Sequence, residues 1–135
     1  MQDAAAHILR SYRTWAVVGC SPDPKRTSHR IAAYLQDHGY RVIPVHPDAS
    51  EILGEPCWPD LSAIPPEEGV EVVDIFRRSQ FAGQHVDEAI AAGARAVWMQ
   101  VGVIDAAAAQ RAERAGLSVA MDTCPKIELP RLRRR

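Results

Sequence analysis

The length, composition and charge of this chain are those of one ordinary globular domain. Its 135 residues are 47% hydrophobic and 24% charged, which excludes wholesale disorder and fibrous repeats and allows a single buried core. The net charge of −1 provides no overall positive field for nucleic acid, and the apolar runs are too short to span a membrane. We therefore expect one domain over residues 1–135 that binds neither nucleic acid nor membrane.

The N-terminus and the cysteines indicate a compartment. The opening MQDAAAHILRSYRTW lacks the basic start, apolar stretch and cleavage site of a secretory signal. Cys20, Cys57 and Cys124 are an odd number with no CxxC spacing, and no histidines are paired at ligand spacing. Neither a disulfide framework nor a metal site is therefore expected. We expect a cytoplasmic protein with free thiols.

Apolar runs of strand length alternate with segments of helical period along the chain. Residues 1–13 are predicted to form a leading helix, WAVVG a strand, and SHRIAAYLQDHG a helix that ends at Gly39. YRVIPVHP is predicted to be a strand that lies near a sheet edge or has its free side at Pro44, because Pro44 removes a ladder donor. Residues 48–69 are rich in Pro, Gly and acidic residues, which predicts an irregular segment with at most a short strand near Cys57.

The second half of the chain continues this alternation. VEVVDIF, ARAVWMQVG and LSVAMD are predicted strands, and Ser79 and Asp105 are predicted to cap the two helices between them. Residues 129–135 are expected to form a basic tail that could lack fixed structure. Near-continuous apolar strands joined by amphipathic helices favour a parallel sheet covered on both faces. The predicted fold class is α/β: a Rossmann-like doubly wound, mainly parallel sheet of five or six strands with helices on both faces.

The turns that follow the strands are the candidate binding sites, because ligands bind such sheets at the carboxyl ends of the strands. In the first turn, Gly19 permits a tight bend, and Ser21 and the amides after it can donate to phosphate oxygens in front of a helix start. Lys25 and Arg26 add positive charge. The turn is predicted to hold an anion, and a solvated basic turn with a helix cap at Thr27 or Ser28 is the alternative.

This turn departs from the dinucleotide fingerprint in two respects. It contains Gly19 alone in place of GxGxxG, and the second strand ends in PVHPD instead of an acidic residue placed to hold a ribose hydroxyl. Both departures weaken an NAD assignment and leave a nucleotide phosphate as the predicted ligand group.

Several separated motifs together resemble a known family. VVGCSPDPKRTSHRIAAYLQDHGYRVIPVHP, GEPCWPDL, VDIFRRS, AVWMQVGV and MDTCPKIE lie in this order over residues 15–128. They resemble the small stand-alone CoA-binding domains, which are related to the CoA-binding domain of acyl-CoA synthetases and of the succinyl-CoA synthetase alpha subunit. The resemblance implies a Rossmann fold that binds coenzyme A or acyl-CoA without a known reaction of its own, with the nucleotide over the first turn.

The resemblance also implies which residues contact CoA. The matching positions are Gly19, Ser21, Pro22, Lys25, Arg26, Ser28, His46, Pro47, Phe76, Arg77, Gln100 and Gly102. The chain departs from the family at two positions, with His46 where Asn is usual and Thr123 where Arg is usual.

Some candidate residues have two interpretations. Phe76 contacts the adenine or the pantetheine arm, or belongs to the core. His46 donates to a ribose hydroxyl, or it caps a turn. Either Arg77 or Arg78 contacts phosphate, and Asp74 is expected to be a hydrogen-bonded polar group near its strand end.

The last motif adds a thiol. Cys124 follows the final strand, where it would lie near the pantetheine end of CoA with Lys126 placed to lower its pKa, and a half-buried structural cysteine is the alternative. No GxSxG elbow or other nucleophile motif is present. We therefore expect a non-catalytic module with CoA as its small-molecule ligand. The alternatives are an NAD(P)-linked enzyme or redox-sensing Rossmann domain, and a protein-interaction domain with a vestigial pocket.

Overall fold

A parallel sheet with helices on both faces makes up the computed structural model, which describes residues 3–133. Its elements are α1 (Ala4–Ser11), β1 (Thr14–Val18), α2 (Thr27–Asp37), β2 (Arg41–Val45), β3 (Glu51–Ile52), β4 (Glu55–Pro56), β5 (Val72–Ile75), α3 (Ser79–Ala91), β6 (Ala96–Met99), α4 (Ala106–Arg114), β7 (Ser118–Ala120) and α5 (Pro125–Arg133). Two short 3-10 turns cover Leu61–Ala63 and Pro66–Glu68. The sheet order is β2-β1-β5-β6-β7 with every pair parallel. The predicted Rossmann-like α/β fold is confirmed.

Each face of the sheet carries its own apolar cluster. Trp15 and Val17 of β1 belong to the cluster under α1, α2 and α5, whereas Ala16 and Val18 belong to the cluster under α3 and α4. Successive side chains of a strand point to opposite faces, so a strand buried on both sides must be apolar throughout. This burial explains the continuous apolar runs in the sequence.

Strand β2 lies at the sheet edge, as Pro44 predicted. The Pro44 carbonyl accepts the Trp58 N–H at 3.1 Å, and Val45 forms an isolated bridge with Trp58. The nitrogen and carbonyl of one strand residue face the same side, so the Pro44 nitrogen faces away from β1. No hydrogen bond of the main sheet is lost there.

The irregular segment, residues 48–69, contains more structure than the sequence predicted. Strands β3 and β4 pair antiparallel, with Glu51 opposite Pro56 and Ile52 opposite Glu55. Only the second of these strands lies near Cys57, where a short strand was expected. The segment is therefore a small ribbon followed by two 3-10 turns.

The predicted cap at Ser79 is wrong. Ser79 is the first residue of α3, and Arg78 occupies the N-cap position without a side-chain hydrogen bond. The Ser79 hydroxyl instead donates to the Gly102 carbonyl at 3.3 Å and accepts the Ile104 N–H at 2.9 Å, which ties α3 to the loop after β6. Asp105 does cap α4, as predicted.

The ends of the chain also differ from the predictions. The leading helix expected over residues 1–13 is present as Ala4–Ser11, and residues 1–2 lie outside the described residues. The basic tail expected over residues 129–135 is helical through Arg133, and Leu129 is buried in a core cluster. The rest of that tail, residues 134–135, lies outside the described residues. Within residues 3–133, no helix is both long and apolar enough to cross a membrane.

Candidate functional site

Two adjoining clefts lie at the carboxyl ends of the strands, on either side of the point where the strand order reverses. The polar cleft has a volume of about 630 Å³ and is lined by Gly19, Ser21, Arg26, Thr27, Ser28, His46, Pro47, Phe76 and Arg77. The apolar cleft has a volume of about 360 Å³ and is lined by Thr27, Phe76, Arg77, Gln100, Val101, Val103 and Cys124. Since Thr27, Phe76 and Arg77 line both, the clefts form one trough.

Most of the residues predicted from the sequence line this trough, and three do not. Pro22 and Lys25 are exposed on the first turn and line neither cleft. Gly102 also lines neither cleft, and its N–H donates to Asp122 Oδ1 at 2.7 Å. The lining residues that the sequence analysis missed are Thr27, Val101 and Val103. All three lie inside the quoted motifs, but no polar or charged pattern distinguishes the two valines.

The first turn, residues 19–26, is held in shape by its own hydrogen bonds. The N–H of Ser21 donates to Ser28 Oγ at 2.9 Å, that of Asp23 to Ser21 Oγ at 3.0 Å, and that of Lys25 to Asp23 Oδ1 at 2.9 Å. The N–H groups of Ser21, Asp23 and Lys25 are therefore already bound inside the turn. The two prolines between them have no N–H to offer. Among the amides after Ser21 that were expected to meet a phosphate, those left free to do so begin at Thr27, and the phosphate contact stays a prediction.

The backbone donors in this region that have no partner among the described residues belong to α2. They are the N–H groups of Thr27, Ser28 and His29, which precede the first intrahelical hydrogen bond. Arg26 occupies the N-cap position without a side-chain hydrogen bond. Thr27 and Ser28 line the polar cleft, so the positive end of the helix dipole lies at its wall.

Arginine side chains supply the positive charge of the polar cleft. Arg26 and Arg77 both line it. The Arg77 guanidinium lies over the Phe81 ring, 4.9 Å from the ring centroid, which limits the directions that it can take. Arg78 is exposed and lines neither cleft. Of this adjacent pair, Arg77 is therefore the one that faces the trough.

Gly19 has a structural requirement of its own. Its φ is +83°, and a Cβ at this position would lie 2.7 Å from the Phe76 carbonyl oxygen. Residue 19 is thus a glycine because the turn after β1 packs against the end of β5. Phe76 itself is half-buried, packs against a core cluster and lines both clefts. Its contact with the adenine or the pantetheine arm stays a prediction.

His46 is oriented by the turn after β2. Its Nδ1 accepts the Asp48 N–H at 3.1 Å. That bond assigns the ring proton of the neutral side chain to Nε2, which is the donor left for a ligand. The turn-capping interpretation of His46 is confirmed, and donation to a ribose hydroxyl stays a prediction.

A buried carboxyl group lies behind the trough. Asp74 is fully buried, and its Oδ1 accepts the Gln100 side-chain amide at 2.7 Å. Its Oδ2 has no partner among the described residues, so the expectation of a satisfied polar group holds for one oxygen only. Burial raises the pKa of Asp74 to about 7, although the hydrogen bond from Gln100 opposes the rise. The side-chain amide of Gln100, predicted to meet the ligand, is thus bound to Asp74.

All three cysteines are free thiols, and burial raises their pKa values. Cys124 lines the apolar cleft and is 7% exposed. Burial raises the pKa of its thiol despite the opposing charge of Lys126, so the expected activation of Cys124 is corrected. Cys20 is fully buried, and its pKa is about 12. Within residues 3–133 there is no cluster of three or more His, Cys, Asp or Glu side chains that could hold a metal ion.

Comparison with known proteins assigns the family. A family model described as a CoA binding domain matches residues 13–130. The chain belongs to this CoA-binding domain family. A solved structure of a hypothetical protein from Pyrococcus horikoshii OT3 is 38% identical, with a TM-score of 0.88, and the match covers 95% of this chain and 89% of that chain. The resemblance inferred from the sequence motifs is confirmed.

Two curated relatives show the size range of proteins that contain this CoA-binding domain. The uncharacterised protein YneT of Bacillus subtilis (strain 168) is 36% identical over 120 residues, which cover 89% of this chain and 87% of YneT. The ADP-forming acetate–CoA ligase I of Archaeoglobus fulgidus is 27% identical over 119 residues, which cover 81% of this chain and 17% of the ligase. The domain therefore corresponds to a small part of that ligase.

Proposed function

We propose that this CoA-binding domain holds coenzyme A or acyl-CoA reversibly in the trough and catalyses no reaction of its own. The observation that carries the proposal is the polar cleft, where the first amides of α2 meet Arg26 and Arg77. Helix amides and guanidinium groups both bind phosphate oxygens, and they act together on one anion. CoA offers a pyrophosphate and a ribose 3′-phosphate to these donors.

The proposal gives each lining residue a part in holding the nucleotide. The pyrophosphate lies against Thr27 and Ser28, and Arg77 pairs with it. His46 Nε2–H donates to a ribose hydroxyl, and Phe76 packs against the adenine or the start of the pantetheine arm. Ser21 and Pro47 shape the wall, with Lys25 and Pro22 at the solvent side of the turn. The volume of about 630 Å³ is within the usual range of small-molecule sites.

The absence of catalysis is proposed from the state of the reactive groups. A thiol nucleophile acts as the thiolate, and burial raises the pKa of each cysteine in this domain. Asp74 is fully buried, which keeps its carboxyl group from a ligand in either cleft. The three free thiols also support the cytoplasmic location that we propose for the protein, since reducing compartments keep thiols unpaired.

Calorimetric titration with CoA, dephospho-CoA and NAD tests the proposal. We expect CoA to bind, dephospho-CoA to bind more weakly because it lacks the 3′-phosphate, and NAD to bind weakest. Arg77→Ala should weaken CoA binding roughly tenfold to a hundredfold, the loss of a charged hydrogen bond of about 1.5–3 kcal/mol. Arg78→Ala is the matched control and should change the affinity less than twofold.

Three outcomes would contradict the proposal. Tighter binding of NAD than of CoA would favour the NAD(P)-linked alternative. Failure of every nucleotide to bind at millimolar concentration would favour the interaction domain with a vestigial pocket. Equal losses in Arg77→Ala and Arg78→Ala would show a general effect of net charge and no specific contact of Arg77 with the ligand. Thermal melts of both variants exclude unfolding as the cause of a lost affinity.

A further inference from the structure

The trough extends past the polar cleft, where the phosphate-binding groups lie, into the apolar cleft. The apolar cleft adds about 360 Å³ to the polar cleft, from which it is reached past Thr27, Phe76 and Arg77. Its own walls are Val101, Val103 and the buried Cys124, and the amide of Gln100 is already bound to Asp74. This end of the trough therefore presents mainly carbon and sulfur to a ligand.

The mouth of the apolar cleft is apolar as well. Val101 lines the cleft and is 61% exposed, whereas Ile104, three residues further along the same loop and 51% exposed, lines neither cleft. A single exposed apolar side chain needs no explanation, but Val101 stands beside an apolar cleft in which a ligand would cover it. The apolar wall of the cleft thus extends outward to a solvent-exposed valine side chain.

Hydrogen bonds on both sides hold Val101 in this position. The N–H of Gly102 donates to Asp122 Oδ1 at 2.7 Å, and the N–H of Val103 donates to the Gln100 carbonyl at 2.8 Å. The Ser79 hydroxyl accepts the Ile104 N–H at 2.9 Å. Because the loop is fixed in this way, the apolar wall exists before a ligand arrives, and binding does not have to order it.

We propose that the apolar cleft binds the acyl group of an acyl-CoA thioester, so that the domain prefers acyl-CoA to free CoA. The inference rests on the proposed function, because the phosphates must first be held in the polar cleft. The pantetheine arm then passes Phe76 and Arg77, and the acyl chain leaves water between Val101, Val103 and Cys124. Each methylene buried in this way corresponds to about a fourfold gain in affinity. The affinity should rise with chain length until the chain outgrows the cleft.

Calorimetric titration with CoA, acetyl-CoA, butyryl-CoA, hexanoyl-CoA and octanoyl-CoA tests the inference. We expect butyryl-CoA or hexanoyl-CoA to bind at least tenfold tighter than free CoA. Val101→Asn removes an exposed apolar wall without adding charge, and it should lower the ratio of hexanoyl-CoA to CoA affinity about fivefold, the fold-change of a half-buried valine. The affinity for free CoA, which places no acyl chain against Val101, should fall less than the affinity for hexanoyl-CoA. Ile104→Asn is the matched control, an exposed residue of the same loop that lines neither cleft, and it should leave both affinities unchanged.

The possible failures are distinguishable. If free CoA does not bind, the proposed function fails and the inference fails with it. If CoA binds and the affinity does not depend on chain length, the inference is overturned while the proposed function stands. If Val101→Asn weakens CoA and hexanoyl-CoA equally, the cleft holds the pantetheine arm and not the acyl chain. Equal effects of Val101→Asn and Ile104→Asn would show that the exposed valine has no part in a ligand site.

Discussion

The buried carboxyl group of Asp74 should make the stability of this domain depend on pH. Burial raises the pKa of Asp74 from 3.8 to about 7 in the folded protein. The folded state therefore binds this proton more tightly than the unfolded state does. The contribution to stability is fully present below pH 4 and is lost as the pH rises through 7. Its full size is about 4 kcal/mol, the free energy that corresponds to this change in pKa.

Asp74→Asn should remove this dependence. The asparagine stays neutral at every pH, and its carbonyl can accept the Gln100 amide at the position of Oδ1. Its NH2 group takes the place of Oδ2, the oxygen that lacks a partner among the described residues. A buried donor without a partner lowers the unfolding free energy by about 1–3 kcal/mol. The difference in unfolding free energy, variant minus wild type, should therefore increase by about 2–4 kcal/mol between pH 5 and pH 9.

Urea unfolding at five pH values from 5 to 9 measures this difference. Trp15 and Trp98 are fully buried on one face of the sheet, so tryptophan fluorescence reports the loss of that core. Equal m-values for both proteins are required before the free energies are compared. Asp37→Asn, at the exposed end of α2, is the control for a general change in charge. A difference between Asp74→Asn and wild type that is constant from pH 5 to pH 9 would refute the buried, proton-binding carboxyl group.

Three further predictions concern the first turn, the Cys124 thiol and the charge of the trough. Gly19→Ala should lower the unfolding free energy by more than about 1 kcal/mol, because the added Cβ meets the Phe76 carbonyl. The control Gly102→Ala has a similar φ with nothing within 4 Å of the added Cβ, and it should lower the unfolding free energy by only about 1 kcal/mol. Thermal melts that rank the two variants the other way would contradict this packing. Cys124 should remain largely unmodified after an hour with CoA disulfide at pH 7, because burial raises the pKa of its thiol; an intact mass with one CoA added, absent in Cys124→Ser, would show an accessible thiolate. Arg26→Ala should weaken CoA binding more at low salt than at high salt, since it removes a charge that ions screen. A loss of CoA affinity that is the same at low and at high salt, measured by calorimetry, would assign Arg26 a structural role.

The sequence predicted the elements whose local pattern agrees with their place in the fold. Asp105 was recognisable as a cap because an aspartate precedes a run of alanines, and its carboxylate accepts the Ala108 N–H at 3.0 Å. Pro44 predicted an edge strand because a proline inside a parallel sheet would remove a hydrogen bond. In both cases one residue type and its neighbours are enough to predict the local structure, because no distant contact changes that structure.

The ribbon of β3 and β4 was missed because its turn breaks the usual residue preference. Leu53 and Gly54 form a two-residue loop, and both have positive φ, +54° and +76°. That loop type normally carries Asn-Gly or Asp-Gly, and a leucine at positive φ is rare. Leu53 is held there by contacts from elsewhere: it packs against a core cluster, and its carbonyl accepts the Gln36 side-chain amide at 3.2 Å. Tertiary contacts of this kind cannot be predicted from the local sequence.

Helix α5 was missed for a similar reason. Pro130 lies inside it, and arginines follow, a composition typical of a chain end and unfavourable for a helix interior. The helix forms because Leu129 is buried in the cluster on its face of the sheet, with Leu132 packed against it. Burial of apolar side chains stabilises a short helix more than its intrinsic preference destabilises it.

The candidate site was predictable in location and not in detail. The rule that ligands bind beyond the carboxyl ends of parallel strands located the trough, and the motifs named most of its lining. The sequence could not distinguish Arg77 from Arg78, because the choice depends on which side chain stacks on Phe81 and which one is exposed. Nor could it predict that Cys124 is buried, since burial depends on contacts between residues distant in the sequence.

The first turn has two properties that arise from the same residues. In SPDPKRTS, the two prolines carry no N–H, while Ser21, Asp23 and Ser28 accept the amides of the residues between and beside them. These hydrogen bonds fix the backbone of the turn and use its own N–H groups. The first N–H groups left free for a ligand are those at the start of α2, from Thr27 onward. An anion in the polar cleft thus meets helix amides that are already oriented, and the ordering cost has been met during folding. The positive charge of Arg26 and Arg77 then adds to donors whose direction is set.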